Sequence, residues 1–108
     1  MENEKDNVAI VVRFFEALER LITDGCIRGV KTFTDRYGIN RWNLISLRDT
    51  AEESHGRFRS SWLQYLVRDF HVSPYWLLLG DGDFYSAGFN AEIVKKLQAA
   101  CKSKKKPT

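Results

Sequence analysis

Apolar residues in the first quarter of the chain recur at three- and four-residue steps: Val8, Val11, Phe14, Phe15, Leu18, Leu21 and Ile22. That spacing places them on one face of a long amphipathic helix. Asp6 and Asn7 are its candidate caps, and Gly25 lies beyond its end. A second, short helix is predicted to open at Gly29, with Val30, Phe33 and Tyr37 at i, i+3 and i+7 and Gly38 as its stop. Glycine there permits the left-handed backbone of a tight turn. Ile39 then points inward. Asn40 caps a third helix, because its side-chain oxygen accepts an exposed amide hydrogen, and Leu44 and Leu47 form that helix's buried side.

Residues 50–59, TAEESHGRFR, are polar and contain a glycine, so they read as a loop or a frayed helix end. Ser60 or Ser61 caps a fourth helix that turns Trp62, Leu63, Leu66, Val67 and Phe70 inward. Ser73-Pro74 starts a fifth, with serine as cap and proline at the first helical position, and Gly80 stops it. Trp76, like Trp62, is expected in the core. Residues 81–88 form a turn-rich connector. Asn90 caps a last helix whose stripe is Ala91, Val94, Leu97 and Ala100; that stripe either folds back on the bundle or pairs with a second copy. The Lys-rich end, KSKKKPT, is expected to be disordered. No strand-like alternation or internal repeat interrupts the helical pattern. The predicted fold class is all-α, a bundle of five helices plus a C-terminal helix and basic tail.

Composition narrows the function. The 108 residues are 44% hydrophobic and 29% charged, the balance of one soluble globular domain. No apolar run approaches the ~20 residues of a membrane span. The opening MENEKDN is too polar for a signal peptide, which predicts a cytoplasmic protein. Cys26 and Cys101 form no CxxC pair and read as reduced, partly buried thiols. No metal-ligand spacing, phosphate-cradling glycine loop or serine–histidine–acid set occurs, so neither a cofactor nor an enzymatic activity is expected. His55 and His71 stand isolated. The net charge of +3 is small. Its distribution says more: acids dominate the first 24 residues, arginines the stretch from Arg28 to Arg68, and lysines the end. A basic middle and end suit an anionic partner.

Two short helices joined by a glycine turn are the physical content of a helix-turn-helix. One helix braces; the other enters the major groove, which is wide enough for it and lined with base-specific donors and acceptors. Residues 30–47, VKTFTDRYGINRWNLISL, resemble the helix-turn-helix of the lambda-repressor-like (Xre-type) family of bacterial and phage regulators. Residues 70–85, FHVSPYWLLLGDGDFY, are similar to the tryptophan-leucine-glycine stretch that follows the reading helix in phage-repressor-like members. The resemblance covers residues 8–85. It implies a DNA-binding domain over residues 1–85, with residues 86–108 as connector, last helix and tail. Val30 replaces the glutamine that many relatives use to touch DNA. Thr34 replaces the usual alanine at the helix crossing, and its hydroxyl needs a partner such as a backbone carbonyl one turn back.

The resemblance implies sequence-specific binding of double-stranded DNA by a transcriptional regulator, a repressor of phage or mobile-element type, acting as a homodimer on twofold half-sites. The reading helix is residues 40–48. Arg41 and Trp42 match the family positions that touch base edges. Arginine donates two hydrogen bonds to guanine, Asn43 suits adenine, and Trp42 and Ile45 suit a thymine methyl. Lys31, Asn40, Arg48, Arg57 and Arg59 are the candidates for DNA backbone contact, which positions without specifying sequence. The alternative is a protein–protein interaction module, antitoxin-like or a phage regulatory partner, that reuses the fold. Val30, Trp42 and Ile45 point that way, and an apolar patch around residues 40–48 would mark it.

Overall fold

The helix carrying the long apolar stripe, α1, spans Glu4–Thr23 in the computed structural model, which describes residues 4–105, with side chains from Lys5 to Ala100. It starts a little before the expected caps, taking Asp6 and Asn7 into its first turn. Its apolar face supplies Val11, Phe14, Phe15, Ala17, Leu18 and Leu21, all buried. Phe14 is the hub of the core. Its ring meets Phe33 edge-on at 5.8 Å and Phe58 at 5.2 Å, and lies 5.9 Å from Trp62. Such aromatic pairs add about 0.5–1.5 kcal/mol each beyond the area they bury.

Helix α2 spans Val30–Tyr37 and helix α3 spans Arg41–Asp49. Gly38 between them sits at φ 66, the left-handed region that glycine occupies without strain. The amides of Gly38 and Ile39 both reach back to the Thr34 carbonyl. Asn40 caps α3 as its chemistry predicts: its side-chain oxygen accepts from the Asn43 amide at 3.0 Å. Leu44 and Leu47 are the buried side of α3. Thr34 is buried, and its hydroxyl donates to the Lys31 carbonyl at 3.1 Å, so the threonine at the crossing is satisfied within its own helix.

The expected loop at residues 50–59 is instead largely helical, as α4 (Ala51–Ser54) followed by a 3-10 turn (His55–Arg57). Thr50 is the reason. Its hydroxyl donates to the Ser46 carbonyl and bonds Ser54 Oγ at 2.9 Å, while its carbonyl accepts from Glu53 and Ser54. Glu52 and Glu53 in the first turn complement the helix dipole. Helix α5 spans Ser60–Phe70. Its N-cap is Arg59, without a side-chain cap bond, so Ser60 is the first helical residue rather than the cap. Helix α6 spans Pro74–Leu79; Ser73 accepts from the Trp76 amide and Gly80 closes it at φ 76. The Arg13 guanidinium reaches from α1 to the carbonyls of Leu77 and Leu78, at 2.8 and 2.7 Å, and caps its C-terminal end. Trp62 and Trp76 are only half-buried, packed on the core's edge.

The connector after α6 belongs to the core. Phe84 and Tyr85 are buried, and an isolated antiparallel bridge joins Val72 to Tyr85. The Tyr85 hydroxyl donates to Asp24 at 2.7 Å and lies beside buried Cys26; burial pushes the Cys26 thiol up from its ordinary pKa. His71 sits at φ 56 and stacks on Phe89 at 3.9 Å, which makes it a packing residue.

Helix α7 spans Ala91–Lys105, capped by the Asn90 side chain on the Ile93 amide. It folds back on its own bundle. Val94 is fully buried, but Leu97 is 41% exposed, and Gln98 takes the inward place expected for it. Gln98 donates to the Asp69 carbonyl at 2.7 Å and accepts from Arg36 at 2.6 Å. The backbone of residues 102–105, expected to be disordered, continues α7; residues 106–108 and the Cys101 side chain lie outside the described part. Among the described residues the fold is all helical apart from the single bridge, and no helix is long and apolar enough to cross a membrane.

Candidate nucleic-acid interface

Helix α3 is held from below and from behind, which leaves its N-terminal end free to meet a partner. From below, Leu44 and Leu47 sink into the core, and burying each stabilises by roughly 1.5–3 kcal/mol. From behind, α2 is tied to α5 and α7. The Tyr37 hydroxyl donates to Asp69 on α5, whose carboxylate also receives Nε and Nη2 of Arg68, each at 2.9 Å. Arg36 lies 3.8 Å from the same carboxylate. The bonds from Arg68, with help from Tyr37, hold the Asp69 pKa below its ordinary value. Burial and the Asp69 bond push the Tyr37 phenol up, so it stays a neutral donor.

Between the α2–α3 turn and the start of α5 lies an open groove of about 530 Å³. Asn40, Asn43, Arg57, Arg59 and Ser61 line it. Its lining also includes Tyr37 and Tyr65, stacked with ring centroids 4.0 Å apart and planes 3° from parallel, together with Trp62 and Leu47. The short helix α4 and the 3-10 turn bring Arg57 and Arg59 to this place. They reverse the chain after α3, so the two arginines return alongside the residues that begin it. Both guanidiniums are on exposed residues, and the Asn40 amide nitrogen keeps its donors after the oxygen has been used as a cap. The groove's lining therefore carries several hydrogen-bond donors and two cations, chemistry suited to a phosphodiester.

Arg41 and Trp42 occupy the first turn of α3. That turn contains no acidic residue, so Arg41 places a cation where the helix dipole is already positive. This is unfavourable by about 0.3–1 kcal/mol unless an anion compensates it. Trp42 is 68% exposed and carries the Arg41 guanidinium over its ring. Ile45, on the next turn, is half-buried.

The remaining two candidates lie apart. Arg48 sits at the far end of α3, paired with Asp49 at 3.3 Å and lining a small cleft with Val12, Glu16 and Glu19 of α1. Asp49 is its ion-pair partner, and Glu16 and Glu19 share the cleft with it. Lys31, in the first turn of α2, pairs with Asp35 at 2.6 Å on an exposed helix face. The α2 N-terminus has no side-chain cap hydrogen bond, and the Thr32 amide donates to the Gly29 carbonyl at 3.1 Å. Sequence reading did not foresee the aromatic lining: Tyr65 carries no motif, and its stacking on Tyr37 depends on how α5 crosses α2. Among the described residues, no group of three or more His, Cys, Asp or Glu side chains is placed to hold a metal ion. Comparison of the chain with protein-family models, curated proteins and solved structures finds no match.

Proposed function

We propose that the protein is a sequence-specific double-stranded DNA-binding regulator with the lambda-repressor-like arrangement, in which α2, the Gly38 turn and α3 form the helix-turn-helix. The observation that carries this reading is the groove: Asn40 and Asn43 at the start of α3 line it together with Arg57 and Arg59, while in the same first turn of α3 Trp42 is exposed and Arg41 half-buried. In this reading α3 enters the major groove by its N-terminal end. Arg41, Trp42, Asn43 and Ile45 meet base edges, while Asn40, Arg57 and Arg59 hold the adjacent phosphates. Lys31 and the N-terminal end of α2 take a phosphate on the other side of the groove, as helix N-termini do. Arg48, at the far end of α3, has the smallest part.

One such unit offers too few contacts for strong specificity, so the protein acts as a homodimer on half-sites about one helical turn apart, in the manner of a phage or mobile-element repressor. The test is fluorescence anisotropy with a labelled duplex. Binding at ~50 mM salt that falls steeply as salt rises supports the reading, since phosphate contacts release counterions. Folded protein that binds no duplex at ~50 mM salt rejects it.

A second reading, a protein-interaction module, draws on Trp42, whose 68% exposure is unusual for so large an apolar side chain. It predicts that Trp42→Ala abolishes partner capture while the chain binds no duplex at any salt.

A further inference from the structure

Arg41 and Trp42 occupy the first two positions of α3. Adjacent residues on a helix do not normally face each other. Here, however, the Arg41 guanidinium carbon lies 4.8 Å from the centroid of the Trp42 ring. The cause is their place at the helix end. Helical side chains lean toward the N-terminus and rest on the turn before them. In the first turn no such turn exists, so the usual separation of adjacent side chains is not imposed there. Trp42 gives little to the core, being 68% exposed, whereas Arg41 is half-buried. The clearest effect of the indole is on the arginine.

We propose that Trp42 is the positioning residue for guanine recognition by Arg41; this rests on the DNA-binding function proposed above. A free arginine samples many rotamers, and that freedom is lost when a bidentate pair forms. A guanidinium lying against an indole already has its position restricted, and the attraction of a cation to a tryptophan face maintains it. A cation–π contact is not a hydrogen bond to a protein acceptor, so it leaves N–H donors of the guanidinium for a partner. Those donors form the fork that matches O6 and N7 of guanine. The indole thus lowers the entropic cost of the Arg41 contact.

The experiment selects duplexes from a random pool in parallel with the natural protein, Arg41→Ala, Trp42→Ala and Trp42→Phe. Each protein is then tested on the selected duplex and on versions with each guanine replaced by adenine. The natural protein should prefer the guanine duplex by about 5- to 140-fold, the range of one bidentate pair. Arg41→Ala should lose that preference. Trp42→Ala should lose most of it, with the salt slope of binding unchanged because no charge has changed. Trp42→Phe, which keeps an aromatic face, should restore much of it. Trp42 is too exposed for its loss to unfold the chain, and an unchanged urea midpoint for Trp42→Ala verifies this. A guanine preference undiminished in Trp42→Ala overturns the positioning role and leaves DNA binding standing. A selected site without an Arg41-dependent guanine overturns it too. No enrichment by the natural protein overturns both.

Discussion

The turn between α2 and α3 offers a perturbation whose sign and size follow from geometry alone. Gly38 lies at φ 66 and ψ 34, and a Cβ built on it meets no atom within 4 Å. Gly38→Ala therefore introduces neither clash nor contact. What remains is the backbone term: an L-residue in the left-handed region is strained by about 1–2 kcal/mol. Against it stands the smaller conformational freedom of alanine in the unfolded chain, about 0.4–1 kcal/mol. The net expectation is a loss of about 1 kcal/mol, which lowers the melting temperature of a domain this size by about 4–8 °C. Urea unfolding followed by far-UV circular dichroism measures it, with the m-value unchanged. Gly38→Asn should lose less, since asparagine visits this region more readily. Gly56→Ala is the control. Gly56 lies in the 3-10 turn without a positive φ, and its added Cβ also meets nothing within 4 Å. It should gain about 0.4–1 kcal/mol. If Gly38→Ala proves as stable as the natural chain, or moves in the same direction as Gly56→Ala, the left-handed turn is not what sets the entry of α3.

Three further outcomes are expected. Asp69→Asn should destabilise the chain at neutral pH; because the folded pKa of Asp69 is depressed, its contribution is complete above the unfolded value near 3.9 and is lost as pH falls through the folded one, so urea midpoints of the two proteins should converge below about pH 4. Val94→Ala should cost about 2 kcal/mol at any protein concentration, whereas Leu97→Ala should be nearly neutral in the monomer; the reverse order in urea unfolding would show that α7 packs elsewhere. Arg57→Ala and Arg59→Ala should each weaken all duplexes alike and reduce the salt slope by about one unit, while Arg48→Ala should change it least. Equal slopes for all three arginines, measured by anisotropy against salt, would remove the groove from the account.

Much of the frame is legible in the residues because its causes are local. Asn40, Ser73 and Asn90 each cap the helix that follows, and Gly38 and Gly80 take the left-handed positions their composition suggests. What escapes a linear reading is set by partners distant in the chain. Leu97 continues the apolar stripe of α7, but Gln98 faces inward because Asp69 and Arg36 meet it there. Phe84 and Tyr85 sit among glycines, aspartates and serine with no helical or strand period, and only the bridge to Val72 reveals them as core. The candidate site divides the same way. The residue types at the start of α3 are plain in the chain, whereas the approach of Arg57 and Arg59 depends on α4 and the 3-10 turn, where Thr50 bonds Ser46 and Ser54. Arg48 is the converse case: it belongs to α3, yet lines a cleft against α1 with Glu16 and Glu19.

The most direct test of the central claim, that α3 reads double-stranded DNA, is selection of duplexes from a random pool by the folded chain at ~50 mM salt, followed by sequencing. The account predicts an enriched palindrome whose half-sites lie about one helical turn, ~34 Å, apart. A pool that emerges as random as it entered would contradict it.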